Sequence, residues 1–264
     1  MERAEQEKQS KMIVDAHVHI GELDSKSKHF GTTPRKFTAD DMIRLMDKNG
    51  VDIVVANCIG RMLNDDDFKV KNLIIADGMS RYPDRIIGFA RVNPWLEECV
   101  DQLRWAIQEK KFRGLKLHPI TESFQANDEL VHPLMEEASR LRIPVQIHSH
   151  QPGSQPALIG DLADRFTDVT IIMAHMGMAM YKDAIFVARK CPNIILETSA
   201  QPWTHRICRT VIDNIGVERL AFGSDAPLHH QEIELKKVQM AGLSKEELRF
   251  VLGDNMAKIV GIKI

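Results

Sequence analysis

Short apolar runs rich in β-branched residues recur along the chain at even spacing: Ile13–His19, Val51–Asn57, Ile86–Asn93, Gly114–His118, Pro144–His150, Val169–His175, Ile194–Ser199 and Leu220–Ser224. Most stay apolar until a polar residue ends them, as in Thr170-Ile-Ile-Met-Ala-His175. Runs without polar alternation suit parallel strands buried on both faces. Segments of helical period lie between them, at Trp95–Lys110, Leu130–Leu141, Leu158–Phe166, Met180–Lys190 and His205–Asn214. Thr38-Ala-Asp-Asp opens another helix with an N-cap and first-turn acids, and Asn49-Gly50 closes it. Ser244-Lys-Glu-Glu247 is a capping box that starts the last helical region, and Gly253 is expected to break it before Asp254–Val260.

Strands alternating with helices, at about 33 residues per unit, predict an α/β fold, a single (β/α)8 barrel over residues 12–264. Residues 1–11 are expected to be a frayed or helical extension. An open doubly wound sheet is the rival, but no GxGxxG follows the first strand. Gly21–Pro34, long and polar, is a candidate mobile cover for an active site. The three aspartates in Ile59–Phe68 read as a solvated loop, not a cation site.

With 44% hydrophobic and 27% charged residues, the chain has enough apolar content for a large core, so disorder is excluded. A formal net charge of −2 leaves no basic excess for nucleic acid. No apolar run reaches the roughly 18 residues of a membrane span. The charged head Met1–Lys11 lacks the apolar core of a signal peptide, so a cytoplasmic protein is expected. A small-molecule substrate is the expected partner, and a homodimer paired through barrel helices is possible. Cys58, Cys99, Cys191 and Cys208 show neither zinc-finger spacing nor a disulfide framework. The 13 methionines read as core filler.

The odd count is 11 histidines beside two tyrosines and three tryptophans. Their positions matter more than their number. His17 and His19 alternate onto one face of the first strand, at the end where barrel active sites sit. His148 and His175 end the fifth and sixth runs, and Asp225 follows the eighth. Buried imidazoles and a carboxylate need partners. Their convergence at the mouth gives a ligand set for a divalent cation, Zn²⁺ first, with Mn²⁺ or Fe²⁺ also suited.

Through Val14-Asp-Ala-His-Val-His19, Gly114-Leu-Lys-Leu-His-Pro119, Pro144-Val-Gln-Ile-His148, Met173-Ala-His-Met-Gly177, Phe222-Gly-Ser-Asp-Ala-Pro227 and the closing Leu252–Ile262, the chain resembles the amidohydrolase superfamily, in the branch that includes metal-dependent decarboxylases and lactonases. The resemblance implies that His17, His19 and His148 bind one metal, with Asp225 as ligand or close neighbour. The metal would lower the pKa of bound water, and Asp225 would serve as base and then acid. His175 would hold a second metal, polarise the substrate carbonyl or orient the site. Lys116 is a candidate carboxylated bridge between two metals, although one metal is preferred. It shares a strand face with His118.

The expected reaction is hydrolysis of an amide, ester or lactone. The alternative is non-oxidative decarboxylation of a small carboxylic acid. A barrel that keeps its metal for stability alone is the reading outside catalysis. His118, Arg91, His150 and Asn57 are the candidate substrate-binding residues, with Arg61 and Asn93 behind them. Arg91 suits a carboxylate because its planar fork binds two oxygens. Thr198, Ser199 and Trp203 are candidate wall residues. His29, His132, His205, His229 and His230 read as solvent or loop histidines.

Overall fold

The computed structural model describes residues 12–22, 36–58, 68–150 and 152–262. Residues 1–11, expected to fray, His29, Arg61, the aspartate run and most of the candidate cover lie outside the described residues.

Eight parallel strands follow one another in chain order: β1 (Val14–Glu22), β3 (Ile53–Cys58), β4 (Ile86–Arg91), β5 (Gly114–Leu117), β6 (Val145–His148), β7 (Ile171–Ala174), β8 (Ile194–Glu197) and β9 (Leu220–Ala221). The short β2 (Lys36–Phe37) adds to the end of β1 in antiparallel sense. Backbone hydrogen bonds return the chain after β9 to β1, from Ala16 N to Phe222 O at 2.9 Å, Asp225 N to His17 O at 2.7 Å and His19 N to Ala226 O at 2.7 Å. Those bonds bring the last strand back beside the first, as the predicted barrel requires.

Alternation divides the strand residues between two environments. Leu115, Leu117, Val145, Ile147, Ile171, Met173, Ile194 and Leu196 belong to the large apolar cluster under the helices. Val55, Ile87, Phe89, Ile172 and Ile195 form a separate buried cluster with Met256 and Ala257. Two residues further along three of those strands, on the same face, stand Asn57, Arg91 and Glu197. The inner face therefore changes from apolar to polar towards the C-terminal strand ends, where a site belongs.

Two helices go beyond the sequence pattern. α2 (Lys69–Arg81), after α1 (Ala39–Asn49), exposes Val70, Leu73 and Ile74 while burying Asn72 and Gly78, so its apolar stripe does not mark its packed face. Phe68 precedes it without a side-chain cap. Gln231–Gln239 is likewise helical.

The expected break at Gly253 is corrected. Lys245–Arg249, a π turn at Phe250–Asp254 and Asn255–Ile259 run on without interruption. A Cβ at Gly253 would overlap the carbonyl oxygen of Met12. The glycine lets the closing helix lie directly on the chain entering β1. Among the described residues, no helix is long and apolar enough to cross a membrane.

Candidate metal centre

Four of the predicted histidines, Lys116 and Asp225 meet on β1 and β5, at the ends of β6 and β7 and just after β9. His19 Nε2 lies 2.8 Å from Asp225 Oδ1, and His17 Nε2 lies 3.5 Å from the same oxygen. Lys116 Nζ stands 2.9 Å from His17 Nε2. His17 and His175 have ring centroids 5.1 Å apart, and His175 Nε2 meets His148 Nδ1 at 3.0 Å. Both His175 (φ 65) and Asp225 (φ 61) hold left-handed backbone, a conformation that non-glycine residues seldom adopt. It turns both side chains as the chain leaves its strand.

The protonation chemistry follows from burial. Desolvation drives His17 and His148 well below the usual imidazole range, brings His175 down to about 4, and lowers His19 against the pull of Asp225. Burial is the largest single influence and pushes the Asp225 carboxyl up, but the hydrogen bond and charge of His19 together with the charges of His175 and His229 outweigh it and hold the group below the ordinary carboxylate range. Burial also lowers Lys116 and raises Glu197.

Neutral imidazoles and an ionised carboxylate are the forms a divalent cation needs. One ligand atom each from His17, His19 and Asp225 lies within 4.8 Å of the others. His148 Nε2 is buried without a hydrogen-bond partner, which is costly unless something occupies its lone pair. The residues fit a divalent ion.

The substrate-side candidates divide. His118 stacks on His148 at 4.0 Å between ring centroids, and its Nδ1 is buried without a partner. His150 Nδ1 and Asn57 Oδ1 are buried without partners as well. Arg91 is already engaged: its guanidinium pairs with buried Glu122, reaches Thr121 Oγ1 at 3.4 Å and lies over the Phe68 ring at 4.3 Å. Of the histidines read as solvent residues, His229 places Nε2 3.8 Å from Asp225 Oδ2, with its side chain 43% exposed. Trp203 is exposed.

Sequence reasoning gave too little weight to Glu197 and overlooked Glu122. Glu197 ends an apolar run just as His148 and His175 do, so its signal is present in the sequence. Ser199 had been considered only as a wall residue. The buried pair of Glu197 and Ser199 instead stands behind two of the imidazoles, with His17 Nδ1 3.1 Å from Glu197 Oε2 and Ser199 Oγ 2.9 Å from His175 Nδ1. Glu122 lies on the single-turn helix Pro119–Glu122 and carried no motif.

A ring of parallel strands with this donor set at its mouth defines a TIM-barrel enzyme with a centre suited to a divalent cation. The chain belongs to the amidohydrolase family, whose sequence profile matches residues 14–262. A search of curated proteins finds no match.

Similar solved structures include a 5-carboxyvanillate decarboxylase from Sphingomonas paucimobilis, at TM-score 0.79 and 16% identity over 96% of this chain and 100% of that one. A dihydroxybenzoic acid decarboxylase from Polaromonas sp., with bound manganese and the inhibitor 2-nitroresorcinol, matches at TM-score 0.75 and 15% identity over 95% and 97%. A 2,6-dihydroxybenzoate decarboxylase from Rhizobium matches at TM-score 0.71 and 13% identity over 95% and 99%. At such identities the likeness is one of fold.

Proposed function

We propose that the protein is a metal-dependent non-oxidative decarboxylase of a small carboxylic acid. The observation that carries this reading is Lys116, whose buried Nζ lies 2.9 Å from the Nε2 of His17. An amine in that place, protonated, pairs with a substrate carboxylate, whereas the neutral carbonyl of an amide or ester has no formal charge to meet it. The decarboxylases that share the fold support the same choice over the hydrolysis expected from the sequence.

In this reading His17, His19, His148 and Asp225 hold one divalent ion, and the manganese in the Polaromonas relative makes Mn²⁺ the first to test. When bound, the ion supplies positive charge that favours an anionic substrate and the charge developing on it. Lys116 acts as a carboxylate-binding donor and not as a carboxylated bridge. The bond from carbon to the carboxylate breaks, its electron pair stays on carbon, and CO₂ leaves. A proton taken up from solvent, which Asp225 or His175 is placed to relay, then completes the new C–H bond. His118, His150 and Asn57, each with an unpartnered buried polar atom, face the substrate. Arg91 acts through Glu122.

Hydrolysis is the second reading, favoured by the ionised state of Asp225, which suits a base for water. The test is to load the purified protein with Mn²⁺, Zn²⁺ or Fe²⁺ and offer small aromatic and aliphatic acids bearing isotopically labelled carboxyl groups. Labelled CO₂ is the expected product. Turnover of a lactone, ester or amide, with no CO₂ from any acid, would replace decarboxylation by hydrolysis.

A further inference from the structure

We infer that the buried carboxylate of Glu197 sets the tautomers of His17, His175 and His148, so that His17 and His148 keep an unprotonated Nε2 for the metal. The inference rests on the metal centre proposed above and is independent of the substrate.

The proton positions follow from the partners. Glu197 is met by four donors: the backbone N of Ser199, the backbone N of His175 at 3.3 Å, Ser199 Oγ at 2.8 Å and His17 Nδ1 at 3.1 Å. An ionised carboxylate only accepts, and three of these donors converge on Oε2 while the fourth meets Oε1. A proton on Oε2 would find donors where it needs an acceptor, which works against the upward push of burial. His17 therefore carries its hydrogen on Nδ1. A protonated Lys116 agrees with this, because an ammonium has no lone pair and its Nζ lies 2.9 Å from His17 Nε2, which would then accept.

The second arm runs through Ser199. Its single hydroxyl hydrogen goes to Glu197, so its oxygen accepts from His175 Nδ1 at 2.9 Å, and the Ser199 carbonyl oxygen, 3.3 Å from the same nitrogen, is a second and longer acceptor. A neutral His175 protonated at Nδ1 has a bare Nε2, and His148 Nδ1, 3.0 Å away, must donate to it. That leaves His148 Nε2 without a proton, and this is the buried atom without a hydrogen-bond partner. One acid thus orders two ligands through separate arms. Space for it is made at Gly223, where a Cβ would overlap the Glu197 carboxylate.

Ligand atoms of His17, His175 and Glu197 also lie within 4.8 Å of one another, the spacing of a second cation site. The hydrogen bonds already use His17 Nδ1, His175 Nδ1 and the Glu197 oxygens. We therefore assign the triad an ordering role. Partners of this kind behind metal ligands fix ring orientation and raise ligand basicity.

The test begins without metal. Nitrogen NMR of isotopically labelled histidines in the intact apo protein should show Nδ1–H for His17, His148 and His175. Ser199→Ala leaves His175 Nδ1 only the longer contact to the backbone carbonyl, so His148 and His175 should become partly mixed while His17 keeps its form, and Ser199→Thr, which keeps the hydroxyl, should restore them. Titration with Mn²⁺ should give an affinity about 10- to 100-fold weaker for Glu197→Gln, with a smaller loss for Ser199→Ala. Nε2–H on His17 or His148 in the parent, or identical tautomers in the parent and Ser199→Ala, would overturn the inference. So would parent Mn²⁺ affinity in folded Glu197→Gln. Should Glu197→Gln fail to fold, the two Ser199 variants decide. If no acid is decarboxylated while the tautomers hold, the proposed reaction fails and the ordering stands.

Discussion

Asp15 and Asp225 are both buried, and both tie β1 to the segment that follows β9. Asp15 accepts from Ser224 N at 2.9 Å, Ser224 Oγ at 2.6 Å, Gln231 Nε2 at 2.8 Å and His17 N at 3.2 Å. Asp225 is instead met by His19 Nε2 at 2.8 Å, with His17 Nε2 at 3.5 Å and His229 Nε2 at 3.8 Å. Burial pushes Asp15 up to about 6 even with those hydrogen bonds, whereas the imidazole contact holds Asp225 low. Neutral donors saturate the first carboxylate and make it a fastening between strands. Imidazoles that can exchange a proton for a cation leave the second free for chemistry.

The largest effect expected from this contrast is on turnover. Asp225→Asn should reduce kcat by about 10²- to 10⁴-fold, with thermal unfolding close to the parent's. A variant that loses stability and keeps its rate would make Asp225 another fastening. Asp15→Asn should show the reverse pattern. It sets an amide NH₂ among donors and should cost about 2 to 3 kcal/mol in urea unfolding, with Mn²⁺ affinity unchanged. Weakened Mn²⁺ binding at parent stability would place both aspartates in one site.

Gly253→Ala tests the same strand junction from outside. The overlap with Met12 O should cost roughly 2 kcal/mol, outweighing the gain in helix propensity of about 1 kcal/mol, and it is read from the urea midpoint.

The smallest effect lies far from the site. Arg104 Nε and Arg140 Nε each approach Glu137 at 2.9 Å, and Arg140's hydrogen bond is the main cause that brings Glu137 down from 4.5 to about 2. The folded value is below the unfolded one, so this stabilisation is present above about pH 4.5 and lost as pH falls through about 2. Both arginines are more than two-fifths exposed, so Glu137→Gln should cost under about 1 kcal/mol at neutral pH. The difference from the parent should vanish on acidification, as followed by unfolding at several pH values.

The strands were legible because parallel strands covered on both faces need uninterrupted apolar runs, and the polar residue that stops each run lies at the mouth. His148, His175 and Asp225 were found in that way, and His17 with His19 by alternation. α2 was not legible, since it buries Asn72, whose Nδ2 donates to Arg91 O at 2.7 Å, while exposing Val70. A polar residue packed for one long-range hydrogen bond leaves no periodic trace. Arg91 looked available for substrate because nothing local showed that Glu122, on another strand's following turn, would pair with it.

The sequence by itself determined the order of strands and helices, the polarity of the barrel mouth and the identity of the donor atoms, because these depend on residue type and on periods of two and 3.6. Only the tertiary structure decided which nitrogen of each imidazole faces which partner. Glu197 and Ser199 reach His17 and His175 from more than twenty residues away along the chain, and proton placement depends on distances of about 3 Å that close only when the barrel does.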